Sequence, residues 1–387
     1  MKAKFLSMLA IASIFMASCS DDDSGSNDDD GPVAPSTLAG NLTEDMTLDA
    51  DVEYKLTGAL IVKSGATLTI PAGTTIKAIA GGTDVYLLVE RGGTIVADGT
   101  ADEPITFTSD AATPKAGDWG GIIINGRAPI SRQTGAANEA ATEINTAVLF
   151  GGDNAADNSG ILDYVVIEYT GARIDDEAEH NGLTLNGVGS GTVLSNIVIK
   201  HGDDDAIEFF GGSVNASNIL VINAKDDMFD CTQGYVGTLT NVYGIREAGY
   251  TAVTSDPRGL EADGNLDGLS PDDINQSNFT INGMTIINNG AAADATMVDA
   301  LKVRRGATAT ITNAFIKYGN DVVVSDIIDL TDSAGDANDN TDIAYNADDS
   351  VAEGAIKNTA EGGATITEDS STGADTSVFG WTGYSFQ

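Results

Sequence analysis

Cysteine is almost missing from this chain: among 387 residues only Cys19 and Cys231 occur. With Cys19 at the far N-terminus and expected to be modified there, Cys231 has no intrachain partner, so the fold must hold by packing, and Cys231 reads as a small core residue. Proline is scarce, with 8 residues, and aromatics make up only 6%. The largest deficit is positive charge: 19 Lys and Arg stand against 58 Asp and Glu, a formal net charge of −39. A field of that sign repels nucleic acid and anionic lipid surfaces, which excludes both as ligands, and it attracts cations. There is no phosphate loop, no zinc-ligand cluster and no nucleophile elbow.

What is abundant is glycine, at 45 residues, beside 42% apolar residues. That balance supplies a large core but weakens helix interiors, so it suits many short β units rather than long helices. The N-terminus has a different character. Lys2 and Lys4 precede an apolar run from Phe5 to Met16, the length of a signal sequence and too short to span a bilayer. It ends in Met16-Ala17-Ser18-Cys19, which resembles a bacterial lipoprotein box. In that class the cysteine is lipidated, here Cys19, and becomes the new N-terminus; ordinary signal cleavage beside an unrelated cysteine is the competing reading. Asp21-Asp22-Asp23 and Asp28-Asp29-Asp30 follow, a stretch that repels itself and cannot bury apolar area. An acidic stretch there resembles the surface-export signal of Bacteroidota lipoproteins. The expectation is a signal peptide over 1–18, a lipidated and disordered acidic tether over 19–37, and an outer-membrane location exposed at the cell surface; an anchor facing the periplasm is the competing reading.

Internal repeats decide the expected fold. Segments around Asp163, Asn196, Asn218, Asn241, Asn278 and Asn313 each place Asn or Asp before a short β-branched run. A period near 22 residues, with Gly, Asn and Asp turns, is one coil of a solenoid whose strands pair in parallel with their equivalents one coil away. The expectation is an all-β, right-handed parallel β-helix over 38–331, with a ladder of stacked Asn amides. Residues 134–147, rich in Ala and Glu, suggest a short helix on an insert. The acidic stretch from Asp332 to about Asp375 reads as a loose final coil or long loop, and Phe379 to Phe386 as an aromatic cap over the open end of the core.

Several segments resemble pectin-lyase-like right-handed β-helix proteins, and more closely a group of secreted β-helix proteins and lipoproteins from Bacteroidota. They are Trp119-Gly120-Gly121-Ile122, Asn181-Gly182-Leu183-Thr184-Leu185, Asp204-Asp205-Ala206-Ile207-Glu208-Phe209-Phe210-Gly211-Gly212 and Asp226-Asp227-Met228-Phe229-Asp230. The resemblance spans roughly Leu56 to Val324. It implies the fold and says little about activity.

Two acidic clusters carry the strongest chemical signal: Asp203, Asp204 and Asp205 with Glu208, then Asp226 and Asp227 with Asp230. With Ile207, Phe209, Phe229 and Cys231 facing inward, alternation turns Glu208 and Asp230 outward, stacked one coil apart. Carboxylates ~4.8 Å apart repel unless a proton or cation intervenes, and clustered oxygens suit Ca²⁺. No Lys or Arg lies between Lys200 and Lys225. A solvated acidic stripe, or carboxylates capping turn N–H groups, is the competing reading. Asp263, Asn265 and Asp267 open like a calcium loop, though Ile274 at the twelfth position excludes an EF-hand; a flexible Asp/Gly turn competes.

The functional expectation is a monomeric, lipid-anchored surface protein. Its role would be non-catalytic, binding a glycan, matrix or other surface ligand, with structural Ca²⁺. The alternative is a polysaccharide lyase or glycoside hydrolase. Gly202-Asp203-Asp204-Asp205 resembles a polygalacturonase segment, but His201-Gly202 precedes it instead of lying on a later coil. A lyase also needs a base, and no spacing singles out Arg246, Lys302, Arg304 or Arg305.

Overall fold

The computed structural model describes residues 36–174, 179–252, 254–268, 272–290, 297–319, 324–348 and 355–386. The expected signal peptide, Cys19 and almost all of the expected tether lie outside them. The described chain is a right-handed parallel β-helix: 24 strands join in one sheet by parallel pairing between successive coils. From the middle of the chain onward each coil contributes one short strand and one long, bent strand. The short strands run Leu183–Asn186, Ile207–Phe210, Phe229–Thr232 and Leu260–Asp263. The long ones include Gly160–Glu168, Val193–Lys200, Asn215–Ile222, Thr238–Arg246, Asn278–Asn288 and Thr308–Tyr318.

The core forms because alternate residues of each strand point inward and stack on the same position one coil away. Leu183, Ile207, Phe229, Leu260, Leu301 and Ile328 make one such column. All six are essentially excluded from solvent, as are Phe209 and Cys231 beside them. The inward register expected for Ile207, Phe209, Phe229 and Cys231 is the observed one.

The bend of each long strand explains the recurrent asparagine. Asn196, Asn218 and Asn241 have φ of +50°, +57° and +60°, the left-handed region that Asn tolerates better than other side chains. Their amides then link the coils. Asn196 Nδ2 donates to Asp163 Oδ1 at 2.7 Å, Asn218 Nδ2 to Asn196 Oδ1 at 2.9 Å, and Asn241 Nδ2 to Asn218 Oδ1 at 3.1 Å. Asn278 is not a rung. The pairing of Thr240 with Asn282 and of Val242 with Met284 puts Gly283 at the bend, at φ +77°. The coil after Asn241 carries a long insert, which displaced the apparent repeat. Asn313 returns to the bend position, at φ +57°.

Three peripheral expectations change. Residues 134–147 hold no helix; Ala140–Thr142 and Asn145–Phe150 form an antiparallel hairpin. A helix that short has no independent stability, whereas the hairpin buries Phe150 against Ile130 and Phe210. The acidic stretch after Asp332 takes the coil form of the expectation and not the loop form, and so carries the β-helix past residue 331: Asp342–Ala347 pairs with the strand Thr308–Tyr318, and Thr365–Glu368 pairs with Asp342–Ala347. Finally, the aromatic C-terminus does not close the end of the core. Phe379, in the short 3₁₀ helix Thr376–Thr382, is fully buried against outward-facing Val198, Leu220, Tyr243, Ile245 and Ile287. Trp381 meets Tyr164 at 5.3 Å and Phe386 meets Tyr243 at 5.0 Å between ring centroids. The segment is a strap along the flank, drawn there by an apolar outer stripe that strand alternation alone would have left polar.

Candidate functional site

On the outer face of the short strands, one side chain from each coil falls into a single file. The register runs Ile123, Thr184, Glu208, Asp230, Glu261, Lys302, Asp329 and Lys357. The file changes from apolar to acidic to mixed charge along the axis. Beside its acidic section, the turns before the strands add Asp204, Asp205, Asp226 and Asp227. Together with Glu143, Glu179 and Asp256 these groups line a cleft with about 740 Å³ of open space, its mouth included.

The carboxylates converge. Oxygens of Asp205, Glu208 and Asp230 lie within 4.8 Å of one another; so do those of Asp205, Asp226 and Asp227, and those of Asp227, Asp230 and Glu261. Part of this charge is absorbed by ordinary bonds. Asp205 Oδ1 accepts from the Asp227 N–H at 2.8 Å, and Asp227 Oδ1 from the Arg258 N–H at 2.5 Å, so these two carboxylates cap the turn one coil on. Thr254 Oγ1 donates to Asp226 Oδ1 at 2.6 Å. Glu208 accepts from the Asn181 amide.

Basic partners are present, contrary to what the local run of sequence implied. Two come from other coils, Arg173 Nη2 reaching Asp204 at 2.6 Å and Lys225 reaching Asp203 at 2.5 Å, while Arg258 Nη1 reaches Glu261, three residues away on its own coil, at 2.7 Å. Arg304 also pairs with Glu261. The centre is the least compensated part, although the Arg258 and Arg304 charges act there at longer range. Asp230 Oδ1 is excluded from solvent and has no hydrogen-bond partner. Burial first, and neighbouring carboxylates second, push Asp205, Glu208, Asp227 and Asp230 well above the usual carboxylate range. Asp204 and Asp226 are also raised, chiefly by burial.

In the other expected loop, Asp263 and Asn265 are engaged by neighbouring groups. Asp263 is clasped by Arg304 Nε at 2.7 Å and Arg305 Nη1 at 2.6 Å. Asn265 donates to Gln276 Oε1 at 3.0 Å and to the Arg305 carbonyl at 3.3 Å. Asp267 lies in the 3₁₀ turn Leu266–Gly268. The basic residues weighed as lyase bases are engaged as well. Arg246 is fully buried and donates to the carbonyls of Ala224 and Asp226; Lys302 holds Asp329 at 2.7 Å. Surrounding carboxylates raise Arg258 and Arg304 further above their ordinary values, although burial opposes this. His201 is stacked with Tyr169 at 5.4 Å, on another side of the coil.

Sequence reasoning missed Arg173, Arg258 and Glu261. Glu261 had a usable signal: Leu260-Glu261-Ala262 repeats the inward–outward–inward pattern of Phe229-Asp230-Cys231, set further along by an insert. It also missed the cluster of Asp299, Asp326 and Asp329, whose oxygens likewise lie within 4.8 Å and which Lys302 and Lys357 neutralise in part.

Fold and cleft together define a parallel β-helix with an acidic, axial groove on the outer face of one sheet. The chain belongs to the pectate-lyase-like β-helix domain family, whose model matches residues 40–383. None of the curated proteins compared and none of the solved structures compared matches it. Among the described residues, no helix is long and apolar enough to cross a membrane.

Proposed function

We propose that this is a lipid-anchored, surface-exposed β-helix protein that binds Ca²⁺ in its acidic cleft and, through it, an extracellular glycan that it does not cleave. One observation carries the cation reading: Asp205, Glu208 and Asp230 bring oxygens within 4.8 Å, and Asp230 Oδ1 has no protein donor. Ca²⁺ takes six to eight oxygen ligands, so carboxylates from two coils leave positions for water or for hydroxyls of a bound sugar. The anchor rests on Met16-Ala17-Ser18-Cys19 and the acidic tether after it. Against lyase chemistry stands the state of the arginines, each locked in ion pairs or buried against carbonyls. A glycoside hydrolase is the second reading, favoured by the raised pKa values of Glu208 and Asp230, since a protonated carboxyl is a general acid. The test is a panel of acidic and neutral polysaccharides, with and without Ca²⁺, read for binding and for chain cleavage. Ca²⁺-dependent binding without products is expected; new chain ends would establish the hydrolase, and binding indifferent to Ca²⁺ would overturn the cation link.

A further inference from the structure

The long strands present a face that differs in charge from the rest of the chain. Outward residues of successive coils fall there into two files. One runs Val193, Asn215, Thr238, Thr280 and Thr310, the other Ser195, Ser217, Thr240, Asn282 and Thr312. Neither file carries a charge, on a chain whose formal net charge is −39. Between the second file and the strap lies a trough of about 420 Å³. Its floor is Thr240, Asn282 and Thr312, all exposed. Its wall is the strap, held in place by Asn241 Oδ1, which accepts from the Asp375 N–H at 2.5 Å, and by Asn313 Oδ1, which accepts from the Gly373 N–H at 3.2 Å. Gly283, the bend position without a rung, adds no side chain to fill the space between them. The Asp375 carboxylate is turned to its own 3₁₀ helix, where it accepts from the Ser377 N–H at 2.9 Å. At the head of the same ladder, two coils beyond Asn218, Tyr164 and Trp381 stand partly exposed, edge to face at 5.3 Å.

We propose that this trough binds a neutral polysaccharide chain, laid along the solenoid axis from Thr312 toward the aromatic pair. Each part of that chemistry answers a feature of the face. Thr240 Oγ1 and Asn282 Nδ2 bond to no other described residue, so a hydroxyl and an amide are open to a ligand. Such groups recur once per coil, ~4.8 Å apart, and a polymer with hydroxyls on every unit can meet several at once. An anionic polymer is repelled by the net charge, and a cationic one finds no carboxylate in the floor. A peptide cannot add as a strand, because the strands beneath are already paired on both sides. Five pairings separate the coil of Thr312 from that of Tyr164, a run of ~24 Å that suits a chain and not a single sugar. The rings at its head offer the apolar face of a sugar a surface to lie against. The inference goes beyond the Ca²⁺ reading and does not depend on it: the trough follows the bends of the long strands, the acidic cleft the short strands.

The test is calorimetry on the purified full chain in chelator-treated buffer. The probes are cellohexaose, xylohexaose and mannohexaose, their trisaccharides, and hexagalacturonate. At least one neutral hexasaccharide should bind at millimolar concentration or below, roughly tenfold tighter than its trisaccharide, and hexagalacturonate should not bind. Asn282→Ala should weaken the neutral hexasaccharide several-fold. Thr240→Trp, at an exposed position that a large ring can fill without entering the core, should abolish its binding and leave the melting temperature unchanged. Tyr164→Asn, which puts the ladder's own residue at a bend of φ +50°, should weaken it as well. No neutral hexasaccharide bound at millimolar concentration, or binding that Thr240→Trp leaves intact, would overturn the proposal. In the Thr240→Trp protein the trough is closed, so any glycan binding that remains, and its response to Ca²⁺, reports on the acidic cleft alone.

Discussion

Asp230 concentrates the electrostatic conflict of the molecule. It sits between Glu208 and Glu261 in register, with one oxygen enclosed and unbonded. If Ca²⁺ relieves that conflict, Asp230→Asn should raise the melting temperature of the metal-free protein, by a stability change on the order of 1 kcal/mol, and shrink the further rise that Ca²⁺ produces. Scanning calorimetry with and without Ca²⁺ reads both; an unchanged Ca²⁺ response would remove Asp230 from the site. The same residues set a pH dependence. A carboxyl raised in the folded state destabilises above its folded pKa, and that cost vanishes as the pH falls to the unfolded value of about 4. Asp205, Glu208, Asp227 and Asp230 are of this kind, and burial raises Asp299 to about 6. Asp329 is the opposite: its bonds from Lys302 and Thr331 hold it at about 2 against the opposing effect of burial, so its stabilisation is lost as the pH falls from about 4 through 2. The metal-free melting temperature should therefore climb from pH 8 to about pH 5 and fall below pH 4. Saturating Ca²⁺ should flatten the upper limb. A profile flat from pH 8 to 5 without metal would refute the account.

Among the elements, the bends of the long strands join two demands in one residue type. Asn218 must hold φ at +57°, and its amide must both donate to Asn196 and accept from Asn241. Substitution separates the two. Asn218→Gly keeps the backbone at ease and loses only the ladder bonds, whereas Asn218→Ala loses the bonds and adds left-handed strain of about 1–2 kcal/mol. Chemical denaturation should rank wild type, Gly, then Ala; Ala equal to Gly would mean the bend carries no strain. This scale also shows why legibility was uneven. The stacking of Glu208 on Asp230 was readable because their coils have equal length. Glu261, next in the file, was hidden by an insert, and Asn278 was mistaken for a rung for the same reason. The hairpin and the strap escaped because local composition reveals that aromatics need burial but not which surface will bury them: Phe150 found Phe210, and Phe379 found the flank.

For the whole molecule, the acidic excess and the proposed anchor act together. The chain carries a formal net charge of −39 and is repelled by an anionic surface, so a lipid at Cys19 would be what keeps it at a membrane. Cys19→Ala should shift the protein from the membrane fraction to the soluble fraction or medium; a mutant that fractionates with membranes as wild type does would refute the anchor. Fold class was legible at this scale because a solenoid writes its period into the chain.

The flank strap bears on how the solenoid comes apart. Stacked coils touch only their neighbours, so such an array can melt piecemeal, each coil governed by its own stability and two interfaces. Here one segment ties distant coils together. Its backbone at Thr372 and Gly373 is bonded to Asn313, that of Ala374 to Thr285 and that of Asp375 to Asn241, while Trp381 lies on Tyr164 and Tyr384 bonds to Glu247. To release any one of these coils, the segment must peel from the others. The strap therefore couples the coils from Tyr164 to Asn313 beyond their nearest neighbours, which should make them melt together. Cutting the chain after Ser371 should replace one sharp calorimetric transition with a broad or multi-step one, even where the first coils to melt lose no contact of their own.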